Sequence, residues 1–426
     1  MQLNPVSKLS GTVNVPGDKS ISHRSIMFGA LAKGTTQVTG FLNGADCLST
    51  AHIFQQMGVH INFIDETTFT LDGLGLHGLV PPTTILDVGN SGTTMRLLSG
   101  ILAGQNFSST LTGDASILTR PMNRVIDPLQ AMGASIRSKN ENGLAPLLIE
   151  PSQLKGITYR SKVASAQVKS CILLATLYAN SASTIIEPSL SRNHSELMLK
   201  SLGADLHSEN AQVTIQPNPI LEATSIDIPG DISSAAYFLV AGLIIPNSDI
   251  LLTNVGINPT RDGIIRVLKD MNGSIEYINE RTINEEKRAD IRIRSSRLTA
   301  TTICGDIIPT LIDEIPAIAI AACFAEGTTI IKDAAELKVK ESNRIDTMVT
   351  ELKKMHASIE ATDDGMIIEG THRLSGASLK SYHDHRIAMS LSIAALAAYG
   401  PSTLHGSQCI DISYPRFFDD IQDLCT

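Results

Sequence analysis

No stretch of this chain is apolar for long enough to cross a membrane: its longest runs, Ser233 to Pro246 and Ile315 to Phe324, fall short of the roughly 18 residues a spanning helix needs. The opening Met1-Gln2-Leu3-Asn4-Pro5-Val6 lacks the basic and then apolar regions of a secretory signal, so the cytoplasm is the expected compartment. Cysteine is sparse. The six, Cys47, Cys171, Cys304, Cys323, Cys409 and Cys425, show no CxxC spacing, which argues against a zinc cage or disulfide framework and for buried free thiols. Positive charge is in deficit as well: a net charge of −9 is unsuited to a nucleic-acid surface, which needs a broad basic face. Any anionic ligand must therefore be held by a local cluster of cations. No GxxxxGK(S/T) occurs, so a P-loop kinase is unsupported. Gly73-Leu74-Gly75-Leu76-His77-Gly78 matches GxGxxG, but Pro81-Pro82 follow where a dinucleotide fold needs a helix. His383-Asp384-His385 has no further His or Cys nearby and adjoins Arg386, so no metal is expected there.

With 426 residues and 42% apolar composition, the chain can bury enough surface for two domains. It repeats itself loosely six times, a pattern that constrains the fold before any single motif does. Each repeat opens with a Gly, Ser or Asp turn ahead of an apolar helix. These openings are Gly17-Asp18-Lys19-Ser20, Gly89-Asn90-Ser91-Gly92-Thr93, Ser165-Ala166-Gln167-Val168-Lys169, Gly230-Asp231-Ile232-Ser233-Ser234, Asp313-Glu314-Ile315-Pro316 and Asp384-His385-Arg386. A Gly-bounded β-rich run follows in most, as in Gly34-Thr35-Thr36-Gln37-Val38 and Gly327-Thr328-Thr329-Ile330-Ile331. Five repeats then carry an amphipathic helix ending near Met57-Gly58, Met132-Gly133, Leu202-Gly203, Met271-Asn272 and Met355-His356. The repeat reads as a βαβαββ module. The fold class is α/β (α+β), with helices on mixed sheets in two similar domains of three repeats each; the repeats differ too much for a solenoid. Composition marks one crossing, at Ser225-Ile226-Asp227-Ile228-Pro229-Gly230.

Cations sit at or near the repeat starts: Lys19 and Arg24, Arg120, Lys169, Arg192, Lys340, Arg344 and Arg386. A helix N-terminus presents unpaired N–H groups and a positive dipole end, so a Lys or Arg there completes an anion site. Taken singly, each is an ordinary surface cation. At the same point of several repeats they converge if the repeats pack symmetrically, and a cleft between the two halves is the expected meeting place. Ser165-Ala166-Gln167 offers a hydroxyl, backbone amides and a carboxamide to phosphate oxygens, although a plain helix cap reads the same way. Asn90-Ser91-Gly92-Thr93 is similar, with Gly92 permitting close approach to the backbone. In Lys340-Glu341-Ser342-Asn343-Arg344, Glu341 lies between two cations that favour its ionised form, and Lys340 and Arg344 share a face if the stretch is helical. A salt-bridged surface helix would look alike. Asp313 opens a very apolar helix, as a cap, a catalytic carboxylate, or both.

These motifs, in this order, resemble the 5-enolpyruvylshikimate-3-phosphate synthase family from about Gly11 to about Phe418. The matching stretches are Pro16-Gly17-Asp18-Lys19-Ser20, Gly89 to Thr93, Thr119-Arg120-Pro121-Met122, Ser165 to Lys169, Lys340-Glu341-Ser342 and Asp384-His385-Arg386. Asp18, Arg192-Asn193-His194-Ser195-Glu196 and Asn258-Pro259-Thr260-Arg261 are similar to its second class. The resemblance implies domains of residues 18–226 and of residues 1–17 plus 227–426, hinged near 17–19 and 226–230, with the active site in the interdomain cleft. It implies transfer of the enolpyruvyl group of phosphoenolpyruvate to the 5-hydroxyl of shikimate 3-phosphate with release of phosphate, a shikimate-pathway step towards chorismate and aromatic amino acids. It further implies a monomer with two small-molecule substrates, no cofactor or metal, and no nucleic-acid or membrane partner.

Carried over residue by residue, the resemblance puts Ser20 and Arg24 on the shikimate carboxylate, and Ser165, Ala166, Gln167 and Arg192 on the 3-phosphate, with Lys19, Lys340 and Asp313 completing that site. Lys19, Asn90, Gly92, Arg120 and Gln167 would line the phosphoenolpyruvate phosphate, and Arg344 and Arg386 its carboxylate. The implied catalytic groups are Glu341, protonating C3, and Asp313, accepting the hydroxyl proton, assisted by Lys340 or Lys19. Three departures stand out. Asn343 replaces an Asp of many relatives, Ile412 a phosphate-binding Lys of some, and Leu97 a Pro of others; the last, with the second-class motifs, predicts reduced glyphosate sensitivity. The sister transferase acting on UDP-N-acetylglucosamine uses a loop cysteine, whereas Gly113-Asp114-Ala115-Ser116-Ile117-Leu118-Thr119-Arg120 has none. A non-catalytic anion-binding paralogue would be expected to lose Asp313 or Glu341, and both are present.

Overall fold

A helix that is apolar on every side has to be enclosed, whereas one with a single apolar stripe can lie on a surface. This chain alternates the two kinds. The computed structural model describes residues 1–425, which divide into an N-terminal unit, Gly17–Ile228 with Ile283–Glu286, and a C-terminal unit, Met1–Pro16, Pro229–Thr282 and the chain from Lys287 onward. The N-terminal unit holds α1 (Lys19–Leu31), α2 (Ala45–Gln56), α3 (Gly92–Ala103), α4 (Asn123–Ala131), α5 (Ala166–Thr176) and α6 (His194–Ser201). The C-terminal unit holds α7 (Ile232–Ile244), α8 (Gly263–Asp270), α9 (Ile315–Cys323), α10 (Arg344–Lys354), α11 (His385–Leu396) and α12 (Phe417–Leu424). The odd-numbered helices bury nearly every residue and form the centre of their unit's own hydrophobic core. Within the C-terminal unit α7, α9 and α11 pack against one another; in the other, α3 lies along α5 and also meets α1.

Among the described residues, six small sheets cover these helices, five of four strands and one of three. The βαβαββ order expected from the repeats is met directly by Leu86–Asp87, α3, Ser109–Thr112, α4, Ser135–Ser138 and Leu147–Glu150. Here the first two strands pair in parallel and the last hairpin adds antiparallel. The repeats beginning at Thr158–Arg160 and Thr302–Ile303 follow the same plan. The opening repeat of each unit draws its leading strand from far along the chain. Ser225–Asp227, which the composition marked only as a crossing, lies parallel to Gln37–Thr39, and Ser10–Val13 lies parallel to Asp249–Leu252. The last repeat is the three-stranded one, completed by Gln2–Leu3 running antiparallel to Ser402–Thr403.

The five surface helices expected to end at a Met-Gly or similar pair do so, and the residue after each C-cap is left-handed: Gly58, Gly133, Gly203, Asn272 and His356. Gly73 to Gly78 runs off the end of a strand, and the next helix begins only at Gly92. Cys47, Cys171, Cys323 and Cys409 are buried thiols, but Cys304 and Cys425 are exposed, against the expectation for all six, because they fall at the ends of surface elements.

The close approach of α3 and α5 depends on Gly100, where an added Cβ would stand 2.2 Å from the Cys171 carbonyl oxygen. Backbone cannot yield as a side chain does, so Gly100→Ala should force the two helices apart. Urea unfolding is expected to record a loss of about 2–3 kcal/mol, in the range of core overpacking.

Candidate active site

In the N-terminal unit three buried helices start with side-chain caps. Asp18 accepts from the Ile21 amide at 2.9 Å, Ser91 from Thr94 at 3.0 Å and Ser165 from Val168 at 3.5 Å. Lys19, at the first position of α1, is paired with Asp46 of α2. One turn on, Arg24 is 3% exposed, and its guanidinium donates to Ser195 Oγ (2.8 Å), Ser170 Oγ (3.0 Å) and the Ser20 carbonyl (2.9 Å). Burial lowers its pKa to about 10, against the pull of Glu196. A desolvated cation hydrogen-bonded to neutral oxygens is well placed to receive an anion.

Gly92 begins α3. A Cβ there would lie 3.0 Å from Arg96 Nη1 and 3.4 Å from Arg120 Nη1, so two guanidinium groups close over bare backbone. Arg120 donates to Asn90 Oδ1 and Ser116 Oγ, both at 3.0 Å, and Asn90 Nδ2 in turn donates to Asp114 at 2.7 Å. Arg96 donates to Gln167 Oε1, whose Nε2 reaches Thr93 Oγ1 at 3.2 Å. The fold thus gathers Asn90, Gly92, Arg120 and Gln167 and adds Arg96, which sequence reasoning passed over. Arg96 sits inside a helix with no turn signal beside it; only its spacing of four from Gly92, which puts both on one face, pointed to it.

Arg192, half-buried, directly precedes Asn193, the cap of α6. Lys169 has a different place from the one expected of a repeat-start cation. Its ammonium is 2% exposed and lies 2.9 Å from Glu187 and 2.7 Å from Glu196, while donating to the Ser191 carbonyl at 3.3 Å. Burial works against its charge, the two carboxylates outweigh burial, and the pKa is raised. Lys169 therefore ties α5 to the segment that carries Arg192. His23, also on α1, is wholly buried, with Nδ1 2.8 Å from Thr50 Oγ1. From there the chain of hydroxyls continues to Thr94 and to the α3 cap Ser91, each step 2.7 Å.

In the C-terminal unit Arg344 opens α10 with its side chain 1% exposed and three carboxylates around it. Nε and Nη2 hold Asp384 at 2.8 and 3.3 Å, Nη2 also holds Glu341 at 2.6 Å, and Nη1 reaches Asp313 at 3.3 Å. Lys340 Nζ lies 3.4 Å from the same Asp313 oxygen. The shared helical face read from the spacing of Lys340 and Arg344 is not what brings them together. Lys340 is extended, and α10 begins only after its cap Asn343, whose side chain accepts from the Asp346 amide at 3.3 Å. Asn caps as well as Asp, so the departure at Asn343 keeps this role.

Asp384 caps α11 through the Arg386 amide at 2.9 Å and accepts from Ser342 Oγ at 3.1 Å. Burial pushes its pKa up, Arg344 and His385 pull it down, and the net shift is downward. The carboxylate of His383-Asp384-His385 is thereby committed to an arginine. Arg386 Nη1 donates to the Asp313 carbonyl at 3.3 Å and lies 3.7 Å from Glu314, a buried acid that also accepts from Ser233 and lies 3.6 Å from Arg261. Burial opposes charge on Arg344 and Arg386, yet the surrounding acids hold both above the ordinary arginine range.

Over residues 3–421 the chain matches the family profile described as EPSP synthase (3-phosphoshikimate 1-carboxyvinyltransferase). The chain belongs to the EPSP synthase family. Among curated EPSP synthase relatives, the 3-phosphoshikimate 1-carboxyvinyltransferase of Thermoanaerobacter sp. (strain X514) is 55% identical over 96% of each chain. That of Desulforamulus reducens is 52% identical over 99% of this chain and 98% of the relative. The solved EPSP synthase of Acinetobacter baumannii superposes with a TM-score of 0.91 at 46% identity, covering 99% of this chain and 97% of that one. The enolpyruvyl transferase NikO of Streptomyces tendae, at 17% identity and a TM-score of 0.80 over 99% of this chain and 96% of that one, shares the fold.

His23 gives the N-terminal unit a pH signature. Burial, then Lys19 and Arg24, lower its pKa from 6.5 to about 3, against Asp46. The folded state favours the neutral ring, so this contribution is complete above the unfolded value of 6.5 and is lost as pH falls from there towards about 3. Urea unfolding at pH 7 and pH 5 should show wild type losing about 2 kcal/mol more than His23→Gln over that interval; equal losses would show that the ring is protonated at little cost.

Proposed function

We infer that the enzyme transfers the enolpyruvyl group of phosphoenolpyruvate to shikimate 3-phosphate in the shikimate pathway, releasing phosphate. The observation that carries the mechanism is the grouping of Asp313, Glu341 and Lys340 about one buried guanidinium. An addition followed by an elimination needs one group that gives a proton and one that takes it, both held still. Glu341, in its protonated form, delivers that proton to C3 of phosphoenolpyruvate and is left as a carboxylate; Asp313 takes the proton of the 5-hydroxyl as its oxygen bonds to C2. The adduct then loses a proton from its new methyl group and the C2–O bond to phosphate breaks, restoring the double bond. Lys340 or Lys19 assists these transfers.

Four of the five N–H donors of Arg344 are engaged by Asp384, Glu341 and Asp313. The carboxylate of phosphoenolpyruvate would take the remaining Nη1 donor together with Arg386. Its phosphate would lie over Gly92, between Arg120, Gln167, Asn90 and Lys19, with Arg96 behind. Ser20 and Arg24 would hold the shikimate carboxylate, and Ser165, Ala166, Gln167 and Arg192 the 3-phosphate, with Lys19, Lys340 and Asp313 on the remaining groups. The arginines, fixed before substrate arrives, stabilise the charge that develops on the transferring group. The reading includes a cytoplasmic monomer, which light scattering of the purified protein tests.

Phosphate release from phosphoenolpyruvate should require shikimate 3-phosphate, persist in EDTA, and be absent with UDP-N-acetylglucosamine; release with the sugar nucleotide alone would place the chemistry in the sister reaction. Glu341→Ala should lower kcat about 10²–10⁴-fold while leaving shikimate 3-phosphate affinity within about twofold. Gly92→Ala, by pushing a methyl between the two guanidinium groups, should raise the KM for phosphoenolpyruvate about tenfold or more with shikimate 3-phosphate affinity little changed.

A further inference from the structure

The segment that delivers Asp384 and Arg386 reverses direction through two consecutive left-handed residues, neither of them glycine: Tyr382 at φ 54° and His383 at φ 59°. This conformation is disfavoured for residues with a side chain, and two in succession must be held by their surroundings. A buried carboxylate does so. Glu351 of α10, 0% exposed, accepts from the Tyr382 hydroxyl at 2.8 Å and from the Lys380 amide at 3.0 Å, with Lys354 Nζ at 2.7 and 2.8 Å balancing its charge. Ser381 closes the turn: its hydroxyl donates to the Gly406 carbonyl at 2.9 Å and accepts from the His383 amide at 3.2 Å. The same helix grips the same segment at its other end, where Arg344 holds Asp384. Arg344 and Glu351 stand seven residues apart, on one face of α10.

We propose that Glu351 and Tyr382 form a positioning clamp for the substrate-carboxylate site. The bond from phenol to carboxylate keeps 382–383 left-handed and thereby fixes where the first turn of α11 places Arg386 with respect to Arg344. A glycine would adopt this backbone with less strain. The tyrosine is accounted for by its hydroxyl, which gives buried Glu351 a second donor from this segment beside the Lys380 amide. Neither Tyr382 nor Glu351 touches substrate; both act through the turn. The proposal rests on the reading that Arg344 and Arg386 receive the phosphoenolpyruvate carboxylate.

Tyr382→Phe removes the hydroxyl and keeps the ring, and His383→Gly relieves the second left-handed residue while leaving the clamp intact. Phosphate release with both substrates should give Tyr382→Phe a KM for phosphoenolpyruvate raised about tenfold, with kcat and the KM for shikimate 3-phosphate within about twofold, and His383→Gly wild-type values. Amide exchange, which needs no substrate, should be about tenfold faster over residues 380–386 in Tyr382→Phe and unchanged along α10. A wild-type KM in Tyr382→Phe, a raised KM in His383→Gly, or unchanged exchange over 380–386 would each overturn the clamp, even if Tm fell. Wild-type enzyme that releases no phosphate would instead overturn the underlying functional reading, and the exchange result would still decide the clamp.

Discussion

An arginine side chain that is 1% exposed is held in its charged form by counter-charge at contact distance, and the charged cluster of the C-terminal unit is arranged around that pairing at Arg344. The three acids that answer it come from different places in the chain: Asp384 from the cap of α11, Asp313 from the turn ahead of α9, and Glu341 from the bend ahead of α10. Neutralising one guanidinium therefore draws three helix starts together. Removing Asp384, the fully buried acid of the three, would break a buried pair, a loss of about 3–5 kcal/mol. The same contacts that stabilise the fold place the two carboxylates expected to move protons.

Arg24 of the N-terminal unit is held in a different way. Arg24 is surrounded by serine hydroxyls and a carbonyl, and the guanidinium groups of Arg96 and Arg120 close over Gly92 and are held by Gln167, Asn90 and Ser116. Neutral acceptors satisfy hydrogen bonds without cancelling charge. The hydrogen bonds of Arg24 thus go to neutral oxygens, with Glu196 acting on its charge without a hydrogen bond to it, whereas Arg344 is in direct contact with three acids. Lys169 of the N-terminal unit follows the second pattern: its two glutamates make it a structural tie, although it lies beside Ser165-Ala166-Gln167 in sequence.

Repetition made the architecture legible because each repeat needs the same turn, the same apolar helix and the same left-handed residue after its second helix, and these recur at Gly58, Gly133 and Gly203. The motifs that carried the family resemblance lie in turns at helix starts, where residue type is closely tied to backbone geometry. What repetition could not show was the origin of the leading strands, since the pairing of Ser225–Asp227 with Gln37–Thr39 is non-local and leaves no periodic trace. Arg96 was hidden for a related reason, being a charged residue in the interior of a helix whose partner, Gln167, belongs to the next repeat. The shared face of Lys340 and Arg344, conditional on a helix through both, does not form, because Asn343 is the N-cap at which α10 begins, and spacing alone cannot reveal where a helix starts.

The most direct test of the account follows the proton assigned to Glu341. Turnover in D2O with unlabelled phosphoenolpyruvate should place deuterium on the vinyl carbon of the product, and Glu341→Gln should lose that exchange together with turnover. Product formed by wild-type enzyme with no deuterium at that carbon would contradict proton delivery to C3, and with it the role of the acid held on Arg344.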